Sequence, residues 1–269
     1  MVMIPLAPTP DFATEVTSFF GSSQTVWGAG LVFLRIGAIA MLLPGIGDQA
    51  VPPRVRLSFA FLFTLILLPV LRPLIPPLPP TMGAMAGLVI HELVIGLMLG
   101  MLIRVFIAAL AIAGEIVSLQ TALSFSQTAN PAQAQPGTTL STFLALLGLV
   151  LIYATGLHHL FIMAMADSYK IFSIVKPVMV GDASNLMVRT MSDTFLLAVQ
   201  LTTPLLVFGL VFNIAAGFIG RIMPAFPIFF VAAPLSILFG LSIFAMGLGI
   251  TGVVFIEHYE EFLRLLVRS

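Results

Sequence analysis

Six long apolar runs make up most of this chain. They cover residues 26–43, 57–71, 81–122, 140–166, 194–220 and 228–256. Chains that fold in water carry about 25% charged residues, whereas here 8% are charged and 59% hydrophobic, with a mean hydropathy of +1.15. Such a chain is an integral membrane protein. Inside a bilayer every backbone polar group needs an internal partner, so spanning segments are helices or closed barrels. The runs are too long for barrel strands, which need about 10 residues. The reading is therefore an all-α integral membrane protein with about six apolar helical segments. No composition shift marks a domain boundary, so residues 1–269 form one polytopic unit.

The breaks between runs are chemically explicit. Pro44-Gly45 and Pro52-Pro53, flanked by Arg54 and Arg56, end the first run. Arg72-Pro73 and Pro76-Pro77-Leu78-Pro79-Pro80 end the second, because consecutive prolines cannot continue a helix. The second run, 57–71, is short for a span. The third, 81–122, has no proline. As one helix it would reach about 60 Å, while a bilayer core needs about 30 Å. It either projects beyond the membrane or breaks near Gly114. The most polar stretch, 167–193, separates the fourth and fifth runs. Arg221-Ile222-Met223-Pro224-Ala225-Phe226-Pro227 separates the fifth and sixth. The tail, 257–269, reads as a short amphipathic helix with Phe262, Leu265 and Leu266 on one face and a Glu260–Arg264 pair. Basic residues fall on both sides of a strict six-span model, so the positive-inside rule gives no orientation. Not every run is then a conventional span. The first 25 residues hold no Lys or Arg and do not resemble a secretory signal.

Charges at membrane depth cost about 3 kcal/mol each by insertion scales. Arg35, Glu92, Arg104 and Glu115 therefore need partners or a wet cavity, although Arg104 could instead snorkel to the interface. Glu92, Gly96, Gly100, Arg104 and Ala108 recur every fourth residue, and Gly96 with Gly100 allows a second backbone to approach closely. Gly209, Asn213, Gly217 and Arg221 repeat the pattern. Both stripes read as packing surfaces, within the chain or toward partners. The alternative is that membrane helices are simply glycine-rich. His158 and His159 are adjacent, so on a helix they point about 100° apart and do not converge on a metal. No cysteine is present, and no hydrolase elbow, zinc-protease or phosphate-loop motif appears. A formal net charge of zero argues against nucleic acid.

One polar stretch lies among apolar neighbours. Residues 114–131 carry Glu115, Gln120, Ser124, Ser126 and Gln127, and lead into a loop rich in Gln, Pro and Gly. Partly unwound polar backbone at membrane depth is tolerated where protein buries it or where it lines a cavity. The stretch reads as the lining or plug of a path, or else as an ordinary solvated loop. Phe125, set between two serines, is a ring of a size to block a narrow passage.

Several motifs in order resemble the FliR/SctT family of export-gate proteins of the flagellum and the type III secretion injectisome. They are Gly114-Glu115, Gln120, Leu123-Ser124-Phe125 and Asn130-Pro131; then Gly156-Leu157-His158-His159-Leu160; then Asn213-Ile214-Ala215-Ala216-Gly217 running on to Arg221-Ile222-Met223-Pro224. Pro227 and Pro234 follow, and Arg35 and the Pro52–Arg56 turn also fit. Ala122 stands where the family often has Gly, and Asn130 where it often has Asp. The resemblance implies a non-enzymatic subunit without cofactors. It implies tilted helical hairpins in a larger helical assembly, with a FliP-like part over roughly 1–190 and a FliQ-like part over roughly 191–269. Implied partners are FliP-like and FliQ-like membrane subunits, an FlhB-like switch protein, lipid, and unfolded export substrates in transit. The implied place is the bacterial inner membrane at the flagellar basal body. The implied energy source is the proton motive force with a separate ATPase. Gln120, Leu123, Ser124, Phe125, Ser126 and Gln127 match the family's pore plug. Arg35, Glu92, Gly96, Gly100, Arg104, Gly114, Glu115, Asn213, Gly217, Arg221 and Pro224 are expected at helix packing or subunit interfaces. Competing readings are a self-contained secondary transporter of a small molecule or ion, using Glu92 and the Gly114 region, and an intramembrane enzyme using His158, His159 or Asp167.

Overall fold

A computed structural model describes residues 21–48, 50–124, 137–176, 180–225 and 227–268. Among these, regular structure is entirely helical: α1 Ser23–Leu42, α2 Pro53–Leu71, a 3-10 turn Arg72–Leu74, α3 Met82–Gln120, α4 Thr139–Ala154, α5 His158–Ile171, α6 Val180–Ile222 and α7 Ile228–Arg268. Five of these helices are long and apolar enough to cross a membrane, or up to six if the bent pair α4 and α5 counts as one. The all-α membrane class read from the sequence holds.

The chain divides into two compact units. The first is built from α1, α2, α3 up to Gly100, and residues from Tyr169 onward. Its core is Leu31, Val32, Ile36 and Ile39 of α1 against Ala60, Leu67, Leu68 and Leu71 of α2, with Ile95 and Leu99 of α3. Helix α1 starts where the Ser22 hydroxyl accepts a bond from the Thr25 amide at 3.2 Å. Proline at the first position of α2 has no N–H to leave unpaired. That helix plus its 3-10 turn reaches 22 residues, so the second run is not short for a span. The proline cluster that follows is clasped by one side chain. Gln24 donates to the Pro76 carbonyl at 2.9 Å and accepts from the Leu78 amide at 2.7 Å.

The second unit holds α3 from Met101, most of α5, and all of α4, α6 and α7. Aromatic rings fill its core. Phe106 stacks on Phe262 with centroids 4.6 Å apart, and Tyr259 lies between Phe255 and Phe161, 5.7 Å from each. Gly148 has no Cβ because Leu110 fills that space.

One open alternative closes, and three sequence expectations change. Helix α3 runs through Gly114 without a break, since a single glycine inside a well-packed helix costs only about 1 kcal/mol. The fourth run is two helices, bent by 79° at the break, where Gly156 adopts φ +75°. The polar stretch before the fifth run is partly absorbed into α6, whose first turn carries Asp182 at the positive end of the helix dipole. The tail is the end of α7 rather than a separate helix, because no proline or glycine interrupts it after Gly252. Its buried face is Tyr259, Phe262, Leu263 and Leu266, while Leu265 is exposed. The Glu260–Arg264 pair forms at 2.6 Å.

Candidate functional site

The stem of the polar stretch is built in the second unit. Helix α3 ends at Gln120, and the chain turns through Thr121, Ala122 and Leu123 to Ser124. Ala122 sits at φ +56°, the left-handed region that suits glycine. Phe125, Ser126 and Gln127 lie outside the described residues, as do Asn130 and Pro131. The description resumes at Gly137, at φ +101°, followed by Thr138, which caps α4.

Both feet of residues 121–137 are fastened to each other. The Thr138 side chain accepts from the Ser141 amide at 3.2 Å, capping α4. The Ser118 hydroxyl of α3 donates to the Thr138 hydroxyl at 2.8 Å. The Glu115 carboxylate accepts from the Thr138 amide at 2.8 Å. A carboxylate near this terminus also favours the helix dipole. Gly114 makes the approach possible: a Cβ there would lie 2.6 Å from the Leu140 carbonyl oxygen and collide with Ser141 backbone. Two expected packing residues, Gly114 and Glu115, thus close one joint. Ser118 and Thr138 were not singled out from the sequence. Their signal was the polar pair flanking the stretch at its two ends.

The C-terminal helices meet the same stem. Ser236 of α7 donates to the Gln120 carbonyl at 3.1 Å. The Gln120 amide fills the place a Cβ would take at Gly209 of α6, and Thr121 fills the place at Gly240 of α7.

A second cluster lies in the first unit. Arg35 grips Glu92 with Nε to Oε2 and Nη2 to Oε1, both at 2.7 Å, and both side chains are wholly buried. The guanidinium also donates to the Phe172 carbonyl at 3.0 Å and lies 4.0 Å above the Tyr169 ring. His91 Nε2 bonds the Lys176 carbonyl at 2.9 Å. Gly96 and Gly100 face α1, where a Cβ would meet the Arg35 carbonyl at 2.6 Å and Leu42 Cβ at 2.9 Å. Helix α1 therefore lies against backbone, as the first stripe implies. Arg104, further along that stripe, is exposed. Each four-residue step turns about 40°, so three steps carry Arg104 well off the face that Glu92 occupies.

Of the second stripe, Gly209 is buried, while Asn213, Gly217, Arg221 and Pro224 are exposed, and open space surrounds Gly217. His158 and His159 do not diverge. Their rings lie 4.1 Å apart, and His159 Nδ1 meets the Gly156 carbonyl at 2.9 Å. Among the described residues no three His, Asp or Glu side chains gather in a way that would hold a metal.

Residues 26–262 match the model of the family "Bacterial export proteins, family 1". The chain belongs to this family. Among its relatives is the flagellar biosynthetic protein FliR of Caulobacter vibrioides, 51% identical over 91% of this chain and 97% of that protein. The proteins of the same name from Aquifex aeolicus and Escherichia coli are 25% and 28% identical. Each alignment covers 87% of this chain, with 90% and 88% of the respective relative. The resemblance read from Gly114-Glu115 and the motifs after it names the same family.

Proposed function

We propose that this chain is a non-enzymatic subunit of the flagellar type III protein export gate, resident in the bacterial inner membrane at the basal body. With FliP-like and FliQ-like subunits, and an FlhB-like switch protein beside them, it forms a path for unfolded proteins. Gln120 and the segment from Leu123 to Gln127 close that path. The match to an export family along nearly the whole chain carries the reading. The exposed apolar length of α6 and α7 supports it. Only 28% and 11% of their most apolar windows are buried within the chain, leaving long surfaces for lipid and other subunits. Asn213, Gly217, Arg221 and Pro224 lie on that open part, where a small-residue face suits a neighbouring helix.

Native mass analysis of the tagged protein from its own host's membranes tests the assembly. One large complex with several copies of two small helical partners is expected. A stable, lone monomer or homodimer would overturn it. In the assembled complex, Phe125→Ala or deletion of residues 124–127 is expected to let ions leak. A variant complex as tight as the parent would remove the plug assignment.

A further inference from the structure

We infer that Arg104 is one half of an ion pair between subunits, and that the other half is an Asp or Glu carboxylate on a membrane helix of a neighbouring subunit. The inference rests on the export-gate reading, which supplies the neighbour, and names the chemistry of the contact.

The depth of Arg104 sets the problem. Glu92 and Glu115 bracket residues 93–114 of α3, a stretch of 22 residues in which Arg104 is the sole polar side chain. Such a stretch is about 33 Å long, matching a bilayer core of about 30 Å. Arg104 lies near its middle, about 15 Å from either end, further than its side chain extends. Snorkelling to the interface, which would pair it with a lipid phosphate, is closed to it. The residue is exposed. Among the described residues no hydrogen bond or ion pair reaches its guanidinium. A lone charge at that depth is unfavourable, and charged side chains inside membrane segments pair with other groups or line water.

The face that carries Arg104 favours a protein partner over water. Helix α3 is fixed from its other side: Phe106, about 160° around the helix from Arg104, is buried and stacks on Phe262. On the Arg104 side, Met101 is exposed, and Ala108 and Ala111 are partly open. These positions are three, four and seven residues from Arg104 and share its face. A wetted path would be lined by further polar groups, and residues 93–114 supply none. A helix of another subunit fits the face. The alanines let its backbone come close, and the apolar neighbours keep water from the guanidinium, the setting in which arginine anchors an interface. Inside such a contact the guanidinium needs an acceptor of opposite charge. A carboxylate accepts its parallel N–H groups as a fork. The Arg35–Glu92 pair, with both bonds at 2.7 Å, is the same chemistry within this chain.

The test uses the assembled complex in membranes of its own host. Arg104→Lys puts an amine where the guanidinium stood. Dicyclohexylcarbodiimide activates a carboxyl group in apolar surroundings, and an amine in contact displaces the activated ester as an amide, releasing the urea. Arginine is not acylated this way, so the parent complex is the blank. The variant is expected to give a covalent product, absent from the parent, that joins residue 104 to an Asp or Glu in an apolar segment of another subunit. Mass spectrometry of the linked peptides reads both ends. An Arg104→Lys complex of intact native mass that gives no product, or one whose carboxyl belongs to this chain, overturns the inference. Arg104→Leu separates the alternatives by sign. With a carboxylate partner the variant strands that carboxylate in the interface, and recovery of the complex should fall about tenfold or more, while the chain stays in the membrane at the parental amount. If Arg104 faced lipid or an aqueous path, recovery would equal or exceed that of the parent, since a charge has left apolar depth, and the inference would fall. It would fall too if the Arg104→Leu chain itself disappeared from the membrane, because the charge would then serve the fold of its own chain. If Arg104→Lys does not assemble, Arg104→Leu decides alone. A parent that purifies as a lone chain refutes the export-gate reading, whereas a parent complex of the expected mass whose variant gives no cross-link refutes the ion pair only.

Discussion

The Arg35–Glu92 pair allows a worked prediction in which two disruptive changes are better tolerated together. Glu92→Leu leaves a guanidinium with no solvent exposure. Its neighbours then include the Phe172 carbonyl at 3.0 Å and the Tyr169 ring at 4.0 Å, but the carboxylate that balanced its charge is gone. Removing one partner of a buried ion pair costs about 3–5 kcal/mol, a factor of roughly two hundred to five thousand in the folding equilibrium. Arg35→Met alone leaves the carboxylate without its guanidinium, with His91 Nδ1 at 3.4 Å, and should cost a similar amount. The double variant has no buried charge. It still loses the cation–π contact, about 2 kcal/mol when desolvated, and leaves the Phe172 carbonyl short of a donor, about 1–3 kcal/mol. Relief of the ionic desolvation, several kcal/mol per ion, offsets most of that. The double variant should therefore be more stable than either single one, with a coupling of at least about 2 kcal/mol.

The assay is thermal loss of the monodisperse peak in mild detergent for the parent, both single variants and the double. Tyr169→Phe is the control. It keeps the ring over Arg35 and gives up only a long 3.4 Å hydroxyl contact to Val32, so it should behave as the parent. A double variant damaged by the sum of the two single losses would refute the argument, because the two groups would then act independently.

Four further outcomes follow from local geometry. Gly114→Ala should destabilise by about 1–3 kcal/mol or more, since its methyl meets Ser141 backbone, whereas Gly217→Ala, in open space within the chain, should stabilise the isolated chain by about 0.5–1 kcal/mol; detergent melts of the chain purified without partners separate them. Gly156→Ala should cost about 1–2 kcal/mol because φ is +75°, visible as a lower melting midpoint. Ala122→Gly should gain about 0.5–1 kcal/mol, as relief of left-handed strain exceeds the added freedom of the unfolded chain. Glu115→Ala should lose about 0.5–2 kcal/mol of capping at Thr138, and Glu115→Gln, which retains a carbonyl acceptor, should recover part of it; proteolysis of residues 121–137 in the intact complex reads both.

The legible parts of the fold were those enforced by backbone chemistry. Pro52-Pro53 and the cluster at 76–80 bound α2 because proline removes donors and fixes φ. Glycine was ambiguous. At Gly114 it marks close packing inside a continuous helix, and at Gly156 it marks a bend, yet both stand in apolar sequence and look alike. The end of the sixth run was misplaced because hydropathy falls after Ile256 while helix propensity does not. At the candidate site, Gly114-Glu115 and Gln120 were found, but the helices that Gln120 meets were not. Its side chain meets Gly209 and its carbonyl meets Ser236, 89 and 116 residues later in the chain. Periodicity within one helix carries no information on which distant notch a side chain enters.

A related limit explains which polar residues mattered. In a bilayer, apolar contact does not choose among neighbours, because lipid tails are as apolar as leucine. Polar groups that reach between helices do choose. Many polar side chains here cannot, because they bond their own helix: Thr64 to the Ala60 carbonyl, Thr194 to Thr190, Thr202 to Ala198, Ser242 to Leu238 and Thr251 to Gly247. Others cross between elements: Arg35 to Glu92, Glu115 and Ser118 to Thr138, Ser236 to Gln120, Gln24 to the proline link. Sequence cannot sort a threonine that bonds four residues back from a serine that reaches another helix. Charge separates them better, since Arg and Glu have no such local escape and must find a partner elsewhere. That is why Arg35, Glu92 and Glu115 could be singled out in advance, and Ser118, Thr138 and Ser236 could not.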